Sequence, residues 1–144
     1  MSRRINRRGS PDSPVYEART GDILVRVSPS YTPEESSPAN GRWIWIYTIE
    51  IENHGMDTVT LTSRHWVITD GRNRVEEVRG AGVVGEQPVL GPREAFRYQS
   101  GCPLTTPSGA MRGTYQMVTA GGEAFEVTIP EFSLHLPGAR RRLN

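Results

Sequence analysis

Lysine is absent from this chain: all 17 basic residues among its 144 are arginine. Cysteine is nearly absent as well. The single Cys102 excludes an intramolecular disulfide and a thiolate-rich metal site, and it suits a reducing, cytoplasmic setting. No apolar run nears the roughly 18 residues of a membrane-crossing helix, and no hydrophobic stretch follows the basic N-terminal residues. A membrane-spanning protein and a secreted precursor are both excluded on this reading. Only three histidines occur, His54, His65 and His135. His54 and Asp57 flank a turn and could supply two metal ligands, but a metal site needs three or four, and no spacing identifies the others. The acids are dispersed, so neither a dedicated metal site nor a cofactor is expected.

Catalytic groupings are equally scarce. No G-x-S-x-G motif occurs, no pair of carboxylates can be given acid and base roles, and Cys102 lies in a loop-like SGCPLTTPSG stretch without a histidine partner. The chain reads as a non-enzyme.

Turn formers and an uneven charge distribution are present instead. Fifteen glycines and 11 prolines indicate many turns between short elements. Residues 1–20 carry Arg3, Arg4, Arg7, Arg8 and Arg19 with almost no apolar periodicity and read as a flexible arm. Residues 138–144, with Arg140, Arg141 and Arg142, read as a basic tail. The intervening residues 21–137 suit one compact domain with nine arginines against 14 acids. An acidic body with basic ends argues against a sequence-reading DNA-binding domain, so no specific nucleic-acid partner is expected.

Period-two alternation recurs where a helical period does not. Ile23, Val25 and Val27 share one phase. Trp43, Trp45, Tyr47, Ile49 and Ile51 share another, in a strand whose second face is apolar only in its N-terminal half. Val59 and Leu61 are out of phase with Trp66 and Ile68, which predicts a bulge near Ser63–Arg64. Phe125, Val127 and Ile129 are out of phase with Phe132 and Leu134, with Pro130 at the change. Gly121-Gly122 predicts a tight hairpin turn. About eight short strands at this spacing predict an all-β, antiparallel sandwich of the immunoglobulin or fibronectin-III kind, without the cysteine pair of antibody domains.

The conspicuous motif is GAGVVG, in which Gly80, Gly82 and Gly85 have the G-x-G-x-x-G spacing. A dinucleotide site needs a helix start after it, and Pro88 and Pro92 forbid one. What remains is a structural loop or an anion-binding nest of backbone N–H groups, with Arg79 at its mouth and Val83 and Val84 offering a surface or plugging the sandwich. Arg64 and His65, beside the core candidate Trp66, are possible partner contacts.

Together, the segments IENHG (51–55), SRHWVITD (63–70), VRGAGVVGEQPVL (78–90), SGCPLTTPSGAMRGTYQM (100–117) and FEVTIPEFSLHLP (125–137) resemble the ApaG family in content, order and spacing. The resemblance implies a small fibronectin-III-like β-sandwich, found alone in bacteria and as a domain of certain eukaryotic F-box proteins and a DNA-polymerase-interacting protein. Bacterial members have been named as cobalt and magnesium efflux proteins on genetic grounds. One departure is Gly91-Pro92-Arg93, which puts Arg93 where the family places glycine. Because arginine disfavours positive φ, a type I turn is expected there.

These readings converge on a cytoplasmic binding module that takes a protein partner through loops at one end of the sandwich. Arg79, Gly80, Gly82, Val83 and Gly85 form its candidate loop, and any role in divalent-cation homeostasis is indirect. The alternative is a binder of a phosphorylated small molecule or pyrophosphate at the glycine loop.

Overall fold

The computed structural model describes residues 14–137. Nine strands form: β1 (Tyr16–Thr20), β2 (Ile23–Tyr31), β3 (Trp43–Asn53), β4 (Val59–Asp70), β5 (Val75–Ala81), β6 (Val89–Leu90), β7 (Ala95–Leu104), β8 (Gly109–Thr119) and β9 (Ala124–Leu134). They make two antiparallel sheets, one ordered β1-β2-β3-β7 and one β5-β4-β8-β9, with β6 added beside β4. The period-two residues explain the layering. Val25, Val27, Ile49 and Ile51 from the first sheet meet Leu61, Tyr115, Met117 and Val127 from the second, all at most 1% exposed. Tyr47 bridges the layers to Trp66 edge to face and to Phe132 at a tilt, while Trp66 and Phe132 meet edge to face, with ring centroids 5.5 to 5.9 Å apart.

Both predicted phase changes are bulges. In β4 the register shifts between Leu61 and Ser63, leaving Thr62 as the extra residue just before the expected position. In β9, Pro130 and Glu131 lie between the pairs Gly113↔Ile129 and Met111↔Phe132, where β8 has only Arg112. Proline's missing N–H is harmless at a bulge because the ladder is already interrupted. The Gly121-Gly122 hairpin uses positive φ only at Gly122 (94°), where the Gly122 N–H donates to the Thr119 carbonyl at 2.9 Å.

Three expectations are corrected. Tyr16–Thr20, assigned from composition to a flexible arm, is a strand in full register with β2, from Tyr16↔Val27 to Thr20↔Ile23. An edge strand needs little apolar content when its backbone ladder is made and one ring is seated, and Tyr16 lies 6.1 Å from Phe132. Residues 1–13 and the basic tail lie outside the described residues.

On the second face of β3, the buried member is Glu50 (8% exposed) rather than the apolar Ile44 or Ile46. Arg26 reaches across from β2 to Glu50 at 3.2 Å, to Glu52 at 2.5 Å and to Glu17 at 2.6 Å, covering the carboxylate.

Arg93 has φ 68°, and the Glu94 N–H donates to the Gly91 carbonyl at 3.1 Å, so the turn is type II and arginine sits where glycine fits best. The backbone is over-determined there: the Arg93 N–H donates to the Asn53 carbonyl at 2.8 Å, and the Gly91 N–H to Glu94 Oε1 at 2.7 Å. These bonds hold the turn against the side chain's preference.

Candidate functional site

The glycine-rich segment is a small hairpin, not a phosphate-binding turn before a helix. The Val83 N–H donates to the Glu86 carbonyl at 2.8 Å and the Glu86 N–H returns to Val83 at 2.9 Å, around Val84 (φ 43°) and Gly85 (φ 80°). Two consecutive positive φ values define a type I′ turn, which favours Asn, Asp and Gly.

Each glycine has its own reason. At Gly82 (φ 58°) a Cβ would stand 2.0 Å from the Glu86 carbonyl oxygen, while Gly85 supplies positive φ in open space. Gly80 instead leaves room for the Arg64 guanidinium, whose atoms would lie 2.9 Å from a Cβ.

The β4 bulge anchors this hairpin. The freed Thr62 carbonyl accepts from the Gly82 N–H at 2.8 Å and from Gln87 Nε2 at 2.8 Å, while the Thr62 hydroxyl donates to the Gln116 carbonyl at 3.0 Å. Arg64 stands in the inner phase beside Tyr115 and Gly80, and its Nη1 donates to the carbonyls of Ala81 (3.0 Å) and Gly82 (2.8 Å). Thr62 and Gln87 carry the loop as much as its glycines do, and the phase change in β4 was the sequence signal for Thr62.

The sequence candidates fall on two faces of one sheet. Arg64, Gly80 and Val83 look inward, and Val83, 1% exposed, plugs the core rather than offering a contact. His65 and Arg79 are cross-strand neighbours on the outer face and share Glu77: His65 Nε2 lies 2.8 Å and Arg79 Nη2 3.3 Å from Glu77 Oε1. The His65 hydrogen bond and the charge of Arg79 hold the Glu77 carboxyl below its ordinary range. The apolar groups the loop does display are Val84 (51% exposed) and, just beyond it, Val89 (59%).

Across the interior, the Tyr98 and Tyr115 hydroxyls are 2.5 Å apart, and burial pushes both phenols upward. Cys102, 4% exposed, has its thiol pushed up to about 12 by burial, with Glu76 adding to the effect. Such a thiol supplies almost no thiolate near neutrality.

Two chemistries can be weighed on this geometry. Three amides between residues 82 and 86 are spent on backbone carbonyls, so they are not aimed at an outside anion. His54 Nε2 lies 2.9 Å from Glu52 Oε1 rather than joining Asp57, and among the described residues no group of three or more His, Cys, Asp or Glu side chains is placed to hold a metal ion.

A family model described as the ApaG domain (DUF525) matches residues 33–119, which run from before β3 through β8 and include the whole glycine hairpin. The chain belongs to the ApaG family. It is 70% identical over 140 residues to Protein ApaG of Caulobacter vibrioides, covering 97% of this chain and all of that one. It is 59% identical over 127 residues to Protein ApaG of a Methylobacterium species, strain 4-46, covering 88% and 98%. Its fold is similar to the crystal structure of the putative ApaA protein from Bordetella pertussis, with TM-score 0.79, 50% identity, and coverage of 89% of this chain and 99% of that one. The β-sandwich is therefore the ApaG sandwich, and among the described residues no helix is long and apolar enough to cross a membrane.

Proposed function

We propose that this ApaG domain is a non-enzymatic, cytoplasmic protein-interaction module whose recognition surface is the hairpin at residues 82–89. The supporting observation is Val84, a β-branched residue held at φ 43° with half its surface in solvent. On balance folding disfavours valine there, since asparagine or glycine would relieve the turn by more than the half-buried side chain returns. Strain kept at an exposed apolar tip is a feature of recognition loops, and Thr62, Arg64, Gln87 and buried Val83 make this loop rigid enough for its shape to be read. Any contribution to cobalt or magnesium homeostasis would run through the captured partner.

The test is affinity capture from a homologous lysate with the wild-type chain, a Val84→Asn, Val89→Ser double variant, and an Arg97→Ala control on the exposed outer face of β7. A specific partner should be retained by wild type and control and lost by the double variant. Equal retention by a folded double variant would place recognition elsewhere.

A further inference from the structure

The edges of the two sheets are treated unequally. β1 and β9 close one side of the sandwich against each other: the Thr128 N–H donates to the Thr20 hydroxyl at 3.0 Å and the Ser133 N–H to the Tyr16 hydroxyl at 3.4 Å. These hydroxyls cap backbone groups of β9 that face away from β8. On the other side, β5 carries Glu76, Glu77 and Arg79 among its seven residues, and charge at that density is a common guard against strand pairing. Neither device protects β7. It is ten residues long, runs without a bulge from Ala95↔Glu52 to Leu104↔Trp43, and has Arg97, opposite Glu50, as its one charge. Among the described residues, no strand pairs with its other side.

The free side of β7 can be assigned residue by residue. The Thr32 N–H donates to the Ile44 carbonyl at 2.9 Å, so even-numbered residues of β3 serve β2 and odd-numbered ones serve β7. Just past the strand, the Asn53 N–H donates to the Glu94 carbonyl at 2.9 Å, in agreement. With Trp43 opposite Leu104, the even residues of β7 are the ones bonded to β3. The backbone of Ala95, Arg97, Gln99, Gly101 and Pro103 therefore turns outward, and all five residues are exposed. Proline fits at 103 because its missing N–H falls on the unpaired side. The other four each offer one N–H and one carbonyl along a straight line.

We propose that β7 pairs antiparallel with β7 of a second copy of this chain, about a two-fold axis at Tyr98, so that two first sheets become one continuous sheet. In this register Arg97 lies opposite Gln99 of the second copy and Ala95 opposite Gly101, and each pair exchanges both N–H···O bonds. The ladder holds about eight bonds, within the roughly 10 ± 5 of a typical interface. The neighbouring registers are worse. A shift one way sets Arg97 against Arg97, and like charges directly opposite are destabilising. A shift the other way sets Ala95 against Pro103 and leaves the Ala95 carbonyl without a donor. A foreign strand needs no such symmetry, so the self-complementary placement of Arg97, Gln99 and Pro103 favours a second copy. The pairing also closes on itself, because it uses both β7 edges and leaves only the charged β5 edges outside. It does not depend on the glycine hairpin, which belongs to the other sheet.

Sedimentation of the full chain from about 10 μM to about 1 mM, a range that forms complexes of micromolar to millimolar Kd, tests the pairing. The mass should rise from 16.0 kDa toward twice that value. Amide exchange on the same samples should slow with concentration at Ala95, Arg97, Gln99 and Gly101, while the even residues of β7 stay protected throughout. Gln99→Pro removes an outward N–H without touching the ladder to β3, and should weaken association by about thirtyfold. Two further variants keep the backbone intact and read the register. Gln99→Glu, which faces Arg97 of the second copy, should tighten association by about fivefold, and Gln99→Arg should weaken it by about as much. Arg79→Ser on the β5 edge should leave it unchanged. A chain that stays single at about 1 mM overturns the proposal and leaves this edge to a strand of another protein. Association with no change in exchange at the four outward amides, or equal shifts in the same direction for Gln99→Glu and Gln99→Arg, overturns it as well.

Discussion

Replacing Val84 by asparagine should make the domain more stable and less able to recognise its partner. At φ 43° Val84 pays for a left-handed backbone, a cost of about 1–2 kcal/mol for an ordinary L-residue and no less for a β-branched one. Asparagine is at home in a type I′ turn. Against this gain stands lost burial: Val84 is 51% exposed, so about half of the roughly 1.5 kcal/mol for a fully buried valine is at stake. The balance is a gain of about 0.5–1 kcal/mol, or about 2–4 °C in Tm for a fold of this size. Urea unfolding should show a higher midpoint with an unchanged m-value. Val84→Ala is the control, since it removes apolar surface and keeps the strain, and it should fall slightly below wild type. If Asn and Ala behave alike, or if Asn is below wild type, the turn is not strained and the recognition argument loses its support.

Three further outcomes follow from other contacts. Asn53 is 1% exposed, donates through Nδ2 to the carbonyls of Asp57 (2.8 Å), Leu90 (3.0 Å) and Gly91 (3.2 Å), and accepts from the Gly55 N–H at 2.9 Å. Asn53→Ala should therefore cost about 3 kcal/mol in denaturant unfolding and Asn53→Asp still more, because an acceptor would then face three carbonyls; an Asp variant as stable as wild type would refute this. Burial alone would raise the Glu52 carboxyl, but the Arg26 hydrogen bond and the His54 contact outweigh it and hold the group below its ordinary 4.5. That stability is fully present above the ordinary value and is lost as pH falls through the lower folded-state value, so Glu52→Gln should flatten the acid limb of a stability–pH curve; identical limbs would refute it. A chain beginning at residue 21 lacks β1, with its ladder and the Tyr16–Phe132 contact, and should lose more than about 1 kcal/mol. Matching denaturant midpoints for the two chains would show that β1 contributes nothing.

The sandwich was legible wherever one face of a strand is apolar throughout. Trp45, Tyr47, Ile49 and Ile51 announce β3, and both bulges followed from changes of phase at Leu61 and Ile129 that no continuous ladder tolerates. Strand β1 was hidden because Tyr16–Thr20 offers a single large apolar ring, and its stability comes from backbone pairing that side chains do not advertise. Arg93 defeated a propensity argument because the carbonyl of Asn53, distant in the sequence, fixes the turn together with the Glu94 carboxylate inside it. The glycine loop was found from its spacing, but its division of labour was not. That Val83 turns inward while Val84 turns outward depends on a two-residue hairpin, and which of Arg64 and His65 faces inward depends on the place of the Thr62 bulge.

The Tyr16 hydroxyl accepts from the Ser133 N–H at 3.4 Å and Trp45 Nε1 donates to the His135 carbonyl at 3.0 Å, so residues 14 and 137 leave the sandwich at the same end, with a consequence for connectivity. A short linker between residues 137 and 14 would close the backbone into a circle, and a cut at the exposed Gly121-Gly122 turn would then give a circular permutant with the same nine strands in a new order. The same closeness lets the domain be spliced into a surface loop of a host protein, because entry and exit occupy neighbouring points and neither the host nor the guest has to open. An ApaG sandwich is in this sense a portable insert. A host carrying it would gain the glycine hairpin on the side away from the join.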